Sequence, residues 1–171
     1  MAERYFFIGS LGIGLVPEMM EILRTKKTPR FAIGWSRLAS QAAAGVNVKE
    51  TSIKVDAFAF DLSPQTININ LLPNTVGLPM TPSSVPDDGK CEIVFDTGLD
   101  KAIMSNYIRQ IFKKKYLYAE EVRMFRGERI ALKPMLNRKL YIDGELVTCK
   151  FDELNIETHN SRIRILHKQG K

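Results

Sequence analysis

A two-layer β-sandwich with two to three flanking helices, mainly β with an α+β decoration, is the fold that this 171-residue sequence predicts. Three observations predict it. Short apolar segments with a period of two recur along much of the chain and are joined by tight turns. Helical spacing is confined to a few stretches. Two Asp-Gly corners each stand beside an alternating strand, one in Pro82-Ser83-Ser84-Val85-Pro86-Asp87-Asp88-Gly89 and one in Leu140-Tyr141-Ile142-Asp143-Gly144-Glu145. Gly accepts φ > 0 and an Asp side chain bonds to nearby backbone, so such corners turn one strand into the next. Many short strands with few helices bury their apolar faces best as two packed sheets.

The elements are expected in this order. Tyr5-Phe6-Phe7-Ile8 is a strand, followed by the glycine-rich stretch Gly9-Ser10-Leu11-Gly12-Ile13-Gly14. Pro17 and Glu18 suit the first turn of a helix, whose apolar face is Met19, Met20 and Leu23, and Thr28-Pro29-Arg30 breaks it. A second helix covers Trp35 to Ala44, where Leu38, Ala39, Ala42 and Ala43 keep helical spacing and Gly45 stops it. The period then becomes twofold: Ile53, Val55, Ala57 and Ala59 alternate with Lys54, Asp56 and Phe58, and Ile67, Ile69 and Leu71 alternate with Asn68 and Asn70. Asp61-Leu62-Ser63-Pro64 is the expected turn of that hairpin. A loop from Pro73 to Gly89 leads to a strand at Cys91 to Phe95. Met104, Ile108, Ile111 and Phe112 mark an amphipathic helix from Leu99 to Lys114. Short strands close the chain at Val122–Phe125, Arg129–Leu132, Lys139–Ile142, Val147–Phe151 and Arg162–Leu166. With no internal repeat and no low-complexity linker, residues 1–171 read as one domain.

Composition narrows the function. Hydrophobic residues make up 44% and charged residues 26%, as in ordinary globular proteins. No apolar run approaches the ~18 residues that span a bilayer, and no secretory signal is visible, so a cytoplasmic protein, peripheral at the membrane, is expected. Cys91 and Cys149 read as reduced, buried thiols; a zinc site needs more Cys and His than the chain has. A net charge of +6 favours phosphate-bearing partners: anionic lipid surfaces, nucleotides or nucleic acid. Charge is the one argument for nucleic acid. Lys113-Lys114-Lys115-Tyr116-Leu117-Tyr118 mixes basic and aromatic residues, but no RNP-like, KH-like or zinc-finger spacing accompanies it.

The stretch Gly9–Gly14 follows the order G-x-x-G-x-G, not the dinucleotide fingerprint, and lacks the Gly-Lys-Ser/Thr ending of a P-loop. No nucleophile constellation stands out, because His159 and His167 lie near the C-terminus and neither Cys has a local activating group. The Asp-Gly corners carry more chemistry. Asp88 is a carboxylate in a tight loop where neighbouring carbonyls can join it in a hard-oxygen site for Mg²⁺ or Ca²⁺. Glu145 follows a Gly at a strand end, from which it can project as a general base for a hydroxyl.

The order of these features resembles the C-terminal domain of the soluble bacterial diacylglycerol kinases and their sphingosine-kinase relatives. The resemblance runs from Phe6-Phe7-Ile8-Gly9 through Gly14, the helical stretch and the alternating segments to Asn74. It continues with Pro82 six residues before Asp88, Gly89, the apolar strand Ile93-Val94-Phe95 and the amphipathic helix. Ile142-Asp143-Gly144-Glu145 looks like the family's Leu-Asp-Gly-Glu. The chain departs from the pattern at Val76-Gly77-Leu78-Pro79-Met80, where extra glycines are usual, and at Lys90, where an apolar residue is usual. The family's Gly-Gly-Asp-Gly-Thr loop and the nucleotide-binding half that carries it are absent from these residues.

The resemblance implies that Glu145 takes a proton from a lipid hydroxyl as it attacks the γ-phosphate of ATP. It implies a structural Mg²⁺ on the side chain of Asp88 and the backbone carbonyls of Val85 and Lys90. ATP would enter only with a separate nucleotide-binding domain, so the chain is expected to be inactive alone. The implied partners are a lipid substrate or an anionic membrane surface, that separate domain and, through an exposed edge strand, a second copy of the chain. The alternative is a non-catalytic lipid- or protein-binding module that retains the fold.

Overall fold

The computed structural model describes residues 4–98, 104–113, 115 and 119–159. Along them run β1 (Ser10–Gly14), α1 (Leu15–Leu23), α2 (Ala32–Gly45), β2 (Thr51–Val55), β3 (Phe58–Leu62), β4 (Thr66–Asn70), β5 (Cys91–Asp96) and α3 (Met104–Phe112). They continue with β6 (Val122–Gly127), β7 (Arg129–Lys133), β8 (Lys139–Ile142), β9 (Glu145–Thr148) and β10 (Leu154–Glu157). The strands form two antiparallel sheets, one in the order β6-β5-β4-β1-β8-β9 and the other β10-β7-β2-β3. The fold is mainly β, a sandwich of two sheets with three helices. No helix among the described residues is long and apolar enough to cross a membrane.

The twofold period sorts the side chains. Leu11, Ile13, Ile67, Ile69, Ile93, Phe95, Leu140 and Ile142 of the larger sheet pack against Ile53, Val55, Ile130 and Leu132 of the smaller one. Phe60 and Phe125 extend this layer, with ring centroids 5.6 and 5.9 Å from that of Phe95. A second apolar cluster joins the helices to the outer face of the larger sheet. It takes Leu15 and Met19 from α1, Tyr107 and Ile111 from α3, and Val94 from β5. α2 adds Trp35, Leu38, Ala39, Ala42 and Ala43, an i, i+3, i+4, i+7, i+8 stripe.

Because helices cover one face and a sheet the other, β4 is buried along its whole length. Asn68 and Asn70 therefore lie inside, although alternation with isoleucines suggests a wet face. Asn70 accepts from Thr75 Oγ1 at 2.8 Å and donates to Thr81 Oγ1 at 3.1 Å, which ties the following loop to the sheet.

Several sequence expectations shift. Tyr5–Ile8 is not a strand; the glycine-rich stretch after it is, as β1. The expected strand around Ile53–Ala59 is two strands folded about Asp56-Ala57, with Val55 opposite Phe58. Asp56 adopts φ 49° there without a glycine to mark the turn. Residues 61–64 consequently link the two sheets and do not close a hairpin. β9 begins at Glu145, earlier than Val147, and β10 was not anticipated. Arg162–Leu166 lies outside the described residues, as does the start of the helix expected from Leu99.

Two aspartates fasten the sheets to their neighbours. Asp143 and Gly144 form the two-residue turn between β8 and β9, at φ 45° and 107°, as a type I′ hairpin requires. The Asp143 carboxylate accepts from three consecutive backbone N–H groups: Ile8 at 2.6 Å, Gly9 at 3.0 Å and Ser10 at 2.7 Å. A Cβ on Gly9 would stand 2.8 Å from Asp143 Oδ1, so a side chain there would force the carboxylate to shift. In the other sheet Asp56 accepts from the N–H groups of Glu128 and Arg129.

Hydrogen bonds to a charged acceptor each contribute more than neutral ones. Asp143→Ala should therefore lower unfolding free energy by about 1–3 kcal/mol. Asp143→Asn, which keeps an acceptor and tolerates φ > 0, should lose less. Urea denaturation of the two variants checks this; an Asp143→Asn variant as stable as the wild type would mean that the charge contributes nothing.

Candidate functional site

Glu145 is the first residue of β9 and pairs with Ile142 across the turn. Turn geometry aims it: the two φ > 0 residues reverse the chain tightly, and the bonded Asp143 carboxylate prevents the turn from drifting. Glu145 is exposed and lines a cleft of about 460 Å³ with Arg4, Tyr5, Phe6 and Val147. Among the described residues no hydrogen bond or ion pair engages its carboxylate. Phe6 is 84% exposed at this rim, and Ile8 beside it is exposed too. The cleft thus combines an uncommitted carboxylate with an apolar lip.

On β8, opposite Leu146, stands the buried Tyr141. Burial pushes its phenol pKa up; a hydrogen bond with Ser10 partly opposes that, and the charge of Asp143 adds to it. The phenol is therefore neutral at physiological pH.

The Asp88 corner lies elsewhere. Asp88 Oδ1 accepts from Lys90 N–H at 2.9 Å, and Asp88 Oδ2 meets Nη2 of Arg126 on β6. The same guanidinium reaches Glu92 Oε1 through Nε at 3.5 Å, and Glu92 is only 1% exposed. Gly89 takes φ 79°, and its carbonyl accepts from Thr158 Oγ1. Val85 and Lys90 are both exposed.

Mg²⁺ demands about six oxygens near 2.0–2.1 Å in octahedral array. Asp88 Oδ1 is engaged by the Lys90 N–H, and Oδ2 is ion-paired with the Arg126 guanidinium. No three acidic, His or Cys side chains converge to hold a metal among the described residues. As arranged, the Asp88 carboxylate is paired with the Arg126 guanidinium.

The two corners also stand apart. β6 and β9 are opposite edges of one sheet, and β5, which carries Glu92, is four strand spacings from β9. At about 4.8 Å per spacing this is roughly 19 Å.

The remaining candidates resolve into structure. Gly9–Gly14 offers converging N–H groups at its start, but the protein's own Asp143 fills them. At its end Gly14 has φ 79°, and a Cβ there would lie 2.1 Å from the Gln65 carbonyl oxygen, which accepts from Leu15 N–H. Cys91 is buried against Gly127 O, and burial, with the charge of Glu92, pushes its thiol up to about 12. Cys149 is buried against Phe151 O at 3.3 Å. Neither is placed as a nucleophile. His159 is exposed, while His167, Tyr116 and Tyr118 lie outside the described residues.

Sequence reasoning missed Arg126 and the roles of Asp143 and Phe6. The pairing of Asp143 with Gly9 had a signal, an Asp in a turn and a glycine where no turn is needed. Arg126 had none, since it lies 38 positions from Asp88.

No protein-family model matches this chain, and no curated protein does. Solved structures do. One, described as a candidate diacylglycerol kinase of Bacillus anthracis str. Sterne, superposes with a TM-score of 0.58 at 17% identity, over 90% of this chain and 54% of its own. A second structure of that description gives 0.58 at 17% identity, over 86% and 50%. A third, described as a diacylglycerol kinase of the same organism, gives 0.51 at 12% identity, over 90% and 48%. The chain spans about half the length of the structures it matches. At these identities the likeness is one of architecture: the chain has a diacylglycerol kinase-like fold.

Proposed function

We propose that the chain is the lipid-binding, base-supplying half of an ATP-dependent lipid kinase, active only with a separate nucleotide-binding domain. The observation that carries this reading is the exposed Glu145 carboxylate, aimed by a locked turn into a cleft with an apolar lip. The diacylglycerol kinase-like fold, matching half of each neighbour's length, supports it.

In this reading an acyl chain rests on Phe6 and Ile8 while its glycerol hydroxyl hydrogen-bonds to Glu145. The carboxylate accepts the hydroxyl proton as the oxygen forms its bond to the γ-phosphorus and the bond to the β-phosphate oxygen breaks. ADP leaves with the charge of the broken bond. Positioning and electrostatic clamping of the phosphates, which dominate phosphoryl transfer, fall to the nucleotide-binding partner. The net positive charge of the chain favours approach to an anionic membrane surface.

The test is transfer of labelled phosphate from ATP to diacylglycerol in mixed micelles, with the nucleotide-binding half of a diacylglycerol kinase added in trans. Glu145→Gln should lower the rate by about 100- to 10,000-fold, the usual contribution of a general base. Undiminished transfer by that variant would overturn the base role. No transfer by either protein, with vesicle binding intact, would leave a non-catalytic lipid-binding module.

The guanidinium at Asp88 generates a second expectation. Millimolar Mg²⁺ should leave the melting temperature of the chain unchanged, and Asp88→Ala should cost less than about 1 kcal/mol, as a part-exposed ion pair does. A Mg²⁺-dependent rise in melting temperature that Asp88→Ala abolishes would instead place the ion at that corner.

A further inference from the structure

At the other end of β8 from Glu145 lies a second cavity, of about 280 Å³. The end of β1, the C-terminus of α2, Lys49 and the segment Asn137–Lys139 line it. Arg138 lines it and is 7% exposed. Arginines this buried are almost always paired with a carboxylate, because an isolated charge is expensive to remove from water. Arg138 has no such partner among the described residues. Its Nη1 donates to Thr51 Oγ1 at 2.7 Å and approaches Met135 Sδ at 4.0 Å. A guanidinium has five N–H donors, so most of this one's capacity is unspent.

The surroundings hold the arginine in place. Arg138 N–H donates to Met135 O at 3.0 Å, and Arg138 O accepts from Cys149 N–H at 2.9 Å. Thr51 in turn donates to Lys49 O at 2.9 Å.

The other charges at the cavity do not neutralise it. Lys139 binds Glu18 at 3.1 Å and also Glu21, so both nearby carboxylates are committed to that lysine. Lys49 and Arg138 remain without acidic partners among the described residues. The C-terminus of α2 supplies only the partial negative charge of a helix end. Burial alone pulls the Arg138 pKa down, the signature of a cation without a counter-ion.

We propose that this cavity binds a small oxyanion, a phosphate group held by the planar fork of Arg138 with Lys49 beside it. The volume falls just below the roughly 300–1,000 Å³ of drug-sized ligand sites, so the occupant is a phosphate or a compact phosphate ester. Arginine suits this because its donors match two phosphate oxygens at once. The site is separate from the Glu145 cleft and does not depend on the kinase reading.

Isothermal titration of the full chain with inorganic phosphate, against chloride at equal ionic strength, tests the proposal. Saturable phosphate binding is expected. Arg138→Lys should weaken it at least ~10-fold, since a lysine cannot reproduce the bidentate fork. Should that variant fail to fold, two variants at the cavity edge decide: Lys49→Met should weaken phosphate binding and Glu18→Gln should tighten it by removing a negative charge from the cavity wall. No saturable binding, or binding indifferent to all three changes, would overturn the proposal.

The source of the phosphate is read separately. Binding of phosphatidic acid vesicles over phosphatidylcholine vesicles, reduced in Arg138→Lys or Lys49→Met, assigns a lipid headgroup. Phosphate binding without vesicle binding assigns a soluble ester.

Discussion

The carboxylate of Asp143, clasped by three successive backbone N–H groups, is the interaction on which the arrangement of this molecule turns. A run of N–H donors at a glycine-rich segment is an anion nest, and here the chain supplies its own anion. The bond spans more than 130 residues of sequence and joins the N-terminal segment to the β8–β9 hairpin. It fixes where β1 begins, where Phe6 meets the cleft and how Glu145 leaves its turn. A side chain on Gly9 would force it to shift. Asp56 repeats the device in the smaller sheet, so each sheet is secured by a turn aspartate that reaches beyond its own hairpin.

Much of the sandwich was legible because a period of two is a direct consequence of strand geometry. Ile67 and Ile69, Ile93 and Phe95, and Leu140 and Ile142 all face the inter-sheet core that their alternation predicts. The α2 stripe from Trp35 to Ala43 was equally readable. What was not legible depended on tertiary context. Asn68 and Asn70 look like solvent positions until helices cover them, and nothing local in Asp56-Ala57 announces a turn. Gly9–Gly14 misleads in the other direction: a glycine-rich run suggests a loop, yet its glycines serve close backbone approach within and beside a strand.

The candidate site was legible to a different degree. Glu145 could be picked out because Asp-Gly followed by an acidic residue at a strand end is a local pattern. The environment of Asp88 could not, because its decisive neighbour, Arg126, arrives from another strand through the register of β5 with β6, in which Glu92 faces Arg126. Residue type at a turn indicates what a carboxylate is able to bind; the sheet decides what it does bind. The same logic isolates Arg138, whose lack of an acidic partner among the described residues is visible only once β8 is set against α2 and Thr51.

β8 has a further consequence, for it acts as a ruler. Arg138 stands just before it and Asp143 just after, five residues apart in an extended chain, or about 17 Å. Leu140 and Ile142 anchor the strand in the core, and a slip of one position would turn both outward. The strand therefore cannot slide to carry a signal between its two ends. At a separation well beyond the ~10 Å over which substitutions usually interact, the two ends are energetically independent. If both proposed sites are filled, each ligand then binds with its own affinity.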